Sequence, residues 1–157
     1  MSAVMDLDIC IDDLTDLRIA AFLEEHLADM RAVSPPESKH ALDLAGLQRP
    51  EVTFWSVWSD SALVGCGAIK RLDASHAELK SMRTSARYRR SGIAARLLAH
   101  ILAEARRRGF ERLSLETGSM PFFAPARALY AAYGFEPCAP FGDYRPDPNS
   151  VLMSRRL

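Results

Sequence analysis

The chain has 157 residues, 48% of them hydrophobic and 25% charged, enough for one domain with a sizeable core spanning residues 1–157. Lys plus Arg and Asp plus Glu both number 20, so the formal net charge is zero and no global field draws the protein to nucleic acid or an anionic membrane. Cys10, Cys66 and Cys138 are scattered and form no CxxC pair, which argues against a zinc site or a disulfide framework and for core thiols in a reducing compartment.

The first ten residues carry Asp6 and Asp8 rather than a basic-then-apolar leader, and no apolar run approaches the roughly 20 residues a membrane span needs, so a cytoplasmic, unanchored protein is expected. Leu7, Ile9 and Ile11 alternate with polar residues and predict a first strand. Helical spacing over residues 14–30 predicts a helix capped by Asp13 or Thr15, broken at Ser34-Pro35-Pro36, with a second short helix over 37–47. Residues 52–58 and 62–69, joined by a turn at Ser59-Asp60-Ser61, read as a hairpin, and 76–84 as the next strand. The clearest helix covers 93–108, with Leu97, Leu98, Ile101, Leu102 and Ala105 on one face, three arginines in its last turn and Gly109 as its stop. A strand at 112–117, a helix at 124–133 and closing strands at 135–138 and 150–154 follow. A proline-rich loop, 140–149, separates the last two. The order β-α-α-β-β-β-α-β-α-β-β predicts an α/β domain built on a mixed sheet of six to seven strands with about four helices.

The chemistry-bearing stretch is the basic turn between the strand at 76–84 and the strongest helix. A helix start offers unpaired N–H groups and partial positive charge, which suits an anionic phosphate. Gly92 lets a ligand approach the backbone, and Arg87, Arg89 and Arg90 add charge. One glycine alone is neither a dinucleotide fingerprint nor a P-loop.

Here the chain resembles the GNAT N-acetyltransferase superfamily. Arg89-x-x-Gly92-x-Ala94 looks like that family's coenzyme A signature, and residues 126–135, Ala-Arg-Ala-Leu-Tyr-Ala-Ala-Tyr-Gly-Phe, look like its Ala-x-x-Leu/Phe-Tyr-x-x-x-Gly-Phe segment. The segments at 34–38 and 142–149 resemble a bacterial branch whose acceptors are mostly unassigned. The resemblance implies acetyl-CoA as donor, held between two splayed parallel strands. Backbone groups of Met82, Arg83 and Thr84 would pair with the pantetheine arm, and the N–H groups of Arg89, Arg90, Ser91, Gly92, Ile93, Ala94 and Ala95 would hold the pyrophosphate. Ala126 falls in the second motif. Tyr130 falls on the family tyrosine that protonates the leaving thiolate, although on an amphipathic helix it is also a packing aromatic. Many members carry Asn where this chain has Phe123, and Phe cannot make that polar contact.

An acceptor amine must lose a proton to attack. Glu78, on the strand beside the thioester, is the first candidate base and is equally a partner for Lys80; Glu116, His40 and His76 are weaker candidates. The resemblance places acceptor selectivity in the first two helices and the late loop. Glu37, His40 and Asp43 share a helical face there, and Asp143, Tyr144 and Arg145 offer mixed charge. The expected acceptor is a small-molecule or amino-acid-like primary amine. A protein lysine or N-terminus and a catalytically weak acyl-CoA sensor are the competing readings. A sheet edge near the C-terminal strands makes a homodimer a further expectation.

Overall fold

A computed structural model describes residues 6–35, 42–89 and 91–157. Seven strands form one sheet in the order β1-β2-β3-β4-β5-β7-β6. They are β1 (Asp8–Ile11), β2 (Val52–Ser59), β3 (Ala62–Arg71), β4 (His76–Thr84), β5 (Arg112–Gly118), β6 (Glu136–Pro137) and β7 (Ser150–Arg156). Only β4 and β5 run parallel; all the other neighbours are antiparallel. Four α-helices occur among the described residues: α1 (Leu17–Val33), α2 (Leu44–Leu47), α3 (Ile93–Arg107) and α4 (Ala124–Ala132).

The sheet separates two cores because strand side chains alternate between faces. On β2, Phe54 packs with α1 and α2, while the adjacent Trp55 packs with α3. From α1, Ile19, Phe22, Leu23 and His26 face inward at helical spacing. From α3, Ile93, Leu97, Leu98, Ile101, Leu102 and Ala105 are all buried. Truncating Leu98 or Ile101 to Ala costs about 2–5 kcal/mol, because the rigid sheet beneath cannot close the cavity.

Several boundaries differ from the sequence expectation. The α1 helix starts three residues later, and its cap is Asp16, whose carboxylate accepts from the Arg18 N–H at 2.8 Å. Asp13 instead closes its own turn with Thr15. The described part of the second helix is Leu44–Leu47. Asp43 caps it, accepting from the Gly46 N–H, so Asp43 does not sit on the helical face predicted for it. Glu37 and His40 lie outside the described residues. No described helix is long and apolar enough to cross a membrane.

One irregularity positions the site. Between Ala68↔Lys80 and Cys66↔Arg83, two steps on β3 oppose three on β4, and Ser81 takes φ 57. This bulge bends β4 just past Leu79↔Leu115, where its parallel register with β5 stops.

Candidate active site

Beyond that point β4 and β5 diverge around a cavity of about 590 Å³. One wall is Glu78 to Thr84 of β4, and the other is Leu115 to Gly118 of β5. The backbone of Met82, Arg83 and Thr84 on the β5 side has lost its strand neighbour, so an extended ligand there gains ladder-like hydrogen bonds of about 0.5–1.5 kcal/mol each.

One end of the cavity is the start of α3. The helical ladder opens with the Arg96 N–H donating to the Gly92 carbonyl at 3.0 Å, so the N–H groups of Ile93, Ala94 and Ala95 precede it. All three residues line the cavity, as do Arg89 and Gly92. Gly92 takes φ 83, which favours glycine, and a Cβ built on it meets nothing within 4 Å. The space before it is open, which suits a bulky anion. Ser91 is outside the lining; its hydroxyl donates to the Tyr88 carbonyl and tightens the turn. Arg90 lies outside the described residues.

The other end gathers charged and polar groups. The Lys80 ammonium donates to Glu78 Oε2 at 3.0 Å and to the Tyr144 hydroxyl at 3.2 Å, and Tyr144 in turn donates to Glu78 Oε2. Burial and the neighbouring Glu78 carboxylate push the Tyr144 phenol far above its ordinary pKa, so it stays protonated. Glu116, from β5, accepts from Ser150 Oγ at 2.8 Å. Burial raises its pKa to about 7, against the lowering pulls of Ser150 and Lys80, with Glu78 and Asp147 adding repulsion.

From α1, His26 and Met30 line the cavity, as does its C-cap Ser34. Burial and the Arg83 charge push His26 down to about 4, so it is a neutral imidazole near pH 7. The Arg83 side chain leaves the cavity for α1, pairing with Asp29 at 2.8 Å and Glu25 at 3.5 Å.

The α4 helix supplies Ala126, Leu129 and Tyr130, with Phe123 just before it. Tyr130 is buried, and that burial raises its phenol well above 10. The family model for the "Acetyltransferase (GNAT) family" matches residues 12–135. The chain belongs to the GNAT acetyltransferase family. It is 56% identical to the "Uncharacterized N-acetyltransferase YsnE" of Bacillus subtilis (strain 168), over 95% of this chain and 99% of that protein. It is 39% identical to an "IAA acetyltransferase" of Azospirillum brasilense, over 86% of each. A crystal structure of a "putative acyl-CoA N-acyltransferase" from Klebsiella pneumoniae superposes with a TM-score of 0.81 at 30% identity, covering 96% of this chain and 97% of that one.

The GNAT cleft therefore brings together Glu78, Met82, Arg83, Thr84, Arg89, Gly92, Ile93, Ala94, Ala95, Phe123, Ala126, Tyr130 and Tyr144. It does not include Asp43, which is spent on its cap, or Asp143 and Arg145, which are exposed on either side of Tyr144. His76 sits at the far end of β4, at 2.6 Å from Ser114 Oγ, and is not in the lining. Sequence reasoning missed His26. Its signal was present: it continues the inward spacing of Ile19, Phe22 and Leu23.

Proposed function

We propose that this GNAT acetyltransferase moves an acetyl group from acetyl-CoA to the primary amine of a small molecule, with Glu116 accepting the amine's proton. The observation that carries this reading is the continuous cavity from the α3 N–H groups, between the diverging strands, to Glu116. The residues present fit the donor. Unladdered N–H groups with Arg89 suit a pyrophosphate, and the unpaired β4 edge suits an amide-bearing arm. Acetyl-CoA supplies an activated acyl carbon and a thiol leaving group.

The chain's own residues supply proton handling. An alkyl ammonium has a pKa of about 10.4. Passing its proton to an ordinary carboxylate near 4.5 is uphill by roughly 8 kcal/mol, and to one near 7 by roughly 5 kcal/mol. Glu116 has that higher value, lines the cavity and accepts a side-chain hydrogen bond from Ser150. Glu78 is held by both Lys80 and Tyr144, which supports a positioning role for it. The buried Tyr130 hydroxyl keeps its proton at neutral pH and is the donor for the departing sulfur.

The Tyr144 side chain, bonded to both Glu78 and Lys80, occupies that end of the cavity and favours a small acceptor over a protein segment. The test is thiol release from acetyl-CoA across small primary amines, amino acids, lysine and N-terminal peptides, and IAA, the last prompted by the name of the Azospirillum relative. Turnover with small amines supports the reading. Turnover with peptides alone, with IAA alone or with none overturns it.

A further inference from the structure

We infer that Phe123 grips the arm of the donor as an apolar wall, and that the missing side chain of Gly118 is what sets that wall in place. The inference rests on the acetyl-CoA reading above. Gly118 closes β5, and Phe123 lies five residues on, at the start of α4; both line the cavity. A Cβ on Gly118 would lie 2.9 Å from Phe123 Cγ and closer still to Cδ2 and Cε2. Real Cβ atoms do not approach that closely, so the ring packs directly on the Gly118 backbone and only glycine permits it.

The other contacts hold the ring without filling the cavity. Phe122 meets it edge-to-face, with centroids 5.0 Å apart. Arg127 Nη1 donates to the carbonyls of Gly118 at 2.6 Å and Met120 at 3.0 Å, which pins the turn Pro121–Phe123 to the end of the strand. Phe123 is also the N-cap residue of α4 and makes no side-chain cap hydrogen bond. The position presents an aromatic side chain to the cavity. An arm held this way is bound by packing along its methylene and amide stretch, while its phosphates remain the business of the α3 start.

The experiment measures dissociation constants by calorimetry for coenzyme A and for its adenosine bisphosphate fragment, which lacks the arm. The proteins are the natural chain, Gly118→Ala, Phe123→Ala and the double variant. Each single change is expected to weaken coenzyme A about tenfold or more while leaving the fragment within about twofold. The double variant is expected to be no weaker than Phe123→Ala, since without the ring the added methyl displaces nothing. Thermal melts of Phe123→Ala, which introduces no clash, guard against a folding effect of Gly118→Ala. Unchanged coenzyme A affinity in Phe123→Ala, an equal loss for the fragment, or additive losses in the double variant would overturn the inference. If the natural chain binds no coenzyme A at all, the donor assignment falls and the inference with it.

Discussion

The Tyr144 hydroxyl donates a hydrogen bond to Glu78 Oε2, across 66 residues of chain, and so ties the loop before β7 to β4 in the cleft. Lys80 bonds both partners, which makes a three-membered, largely buried cluster. A hydrogen bond to a charged group contributes about 1.5–3 kcal/mol. Tyr144→Phe is therefore expected to lower the melting temperature modestly and raise the acceptor KM several-fold, with acetyl-CoA affinity unchanged. Steady-state kinetics beside calorimetry check this.

Glu116→Gln is expected to make the protein slower but more stable. Burial lifts the Glu116 carboxyl in the folded chain to about 7, from an ordinary 4.5. Between those values the unfolded chain gives up the proton and the folded chain keeps it, so stability falls as pH rises through that window and levels off above it. Glutamine mimics the protonated form at every pH. The two proteins should melt alike near pH 4 and diverge toward pH 8, the variant ahead by an amount on the order of 3 kcal/mol at most. Denaturant titrations at both pH values measure the difference.

Gly92 provides a test of the anion end alone. At φ 83 any side chain is strained, by roughly 1–2 kcal/mol. Gly92→Ala should cost that much stability, and its open surroundings leave room for the methyl. Gly92→Glu adds an anion where the pyrophosphate would sit and should abolish the thermal shift given by acetyl-CoA. A full shift in Gly92→Glu would remove the loop from the donor site.

Tyr130→Phe keeps the ring packing against Phe135, whose centroid is 5.8 Å away, and removes only the hydroxyl. Turnover should fall about 10²- to 10⁴-fold with little change in acetyl-CoA affinity. Equal turnover would move the proton source to another group.

Much of the α3 end of the candidate cleft was legible in the sequence because it is local. The apolar period of α3, its glycine start and the arginines before it all sit within one short stretch, and the neighbouring motif at Tyr130 fixed the fold. The Glu78 end was harder to read because it is made by tertiary contact. Glu78 and Lys80 are two residues apart on one strand, and their pairing was anticipated, but Tyr144 reaches them only because the last loop folds back. Glu116 carried little weight from its own neighbours. Its raised pKa comes from burial between β4 and β7, and burial is not written in residues 112–118. Asp43 was misplaced for a local reason: a carboxylate before a short helix serves the helix's own N–H groups first.

The most direct test of the proposed chemistry is the pH dependence of kcat/KM for the best small amine, measured for the natural chain and for Glu116→Gln. The expected result is a rise through a limb near pH 7 in the natural chain. In the variant that limb should be absent, the rate should be lower by about 10²-fold or more, and it should climb only with the free amine fraction. The same limb with an undiminished rate in Glu116→Gln would contradict the assignment of Glu116 as the proton acceptor.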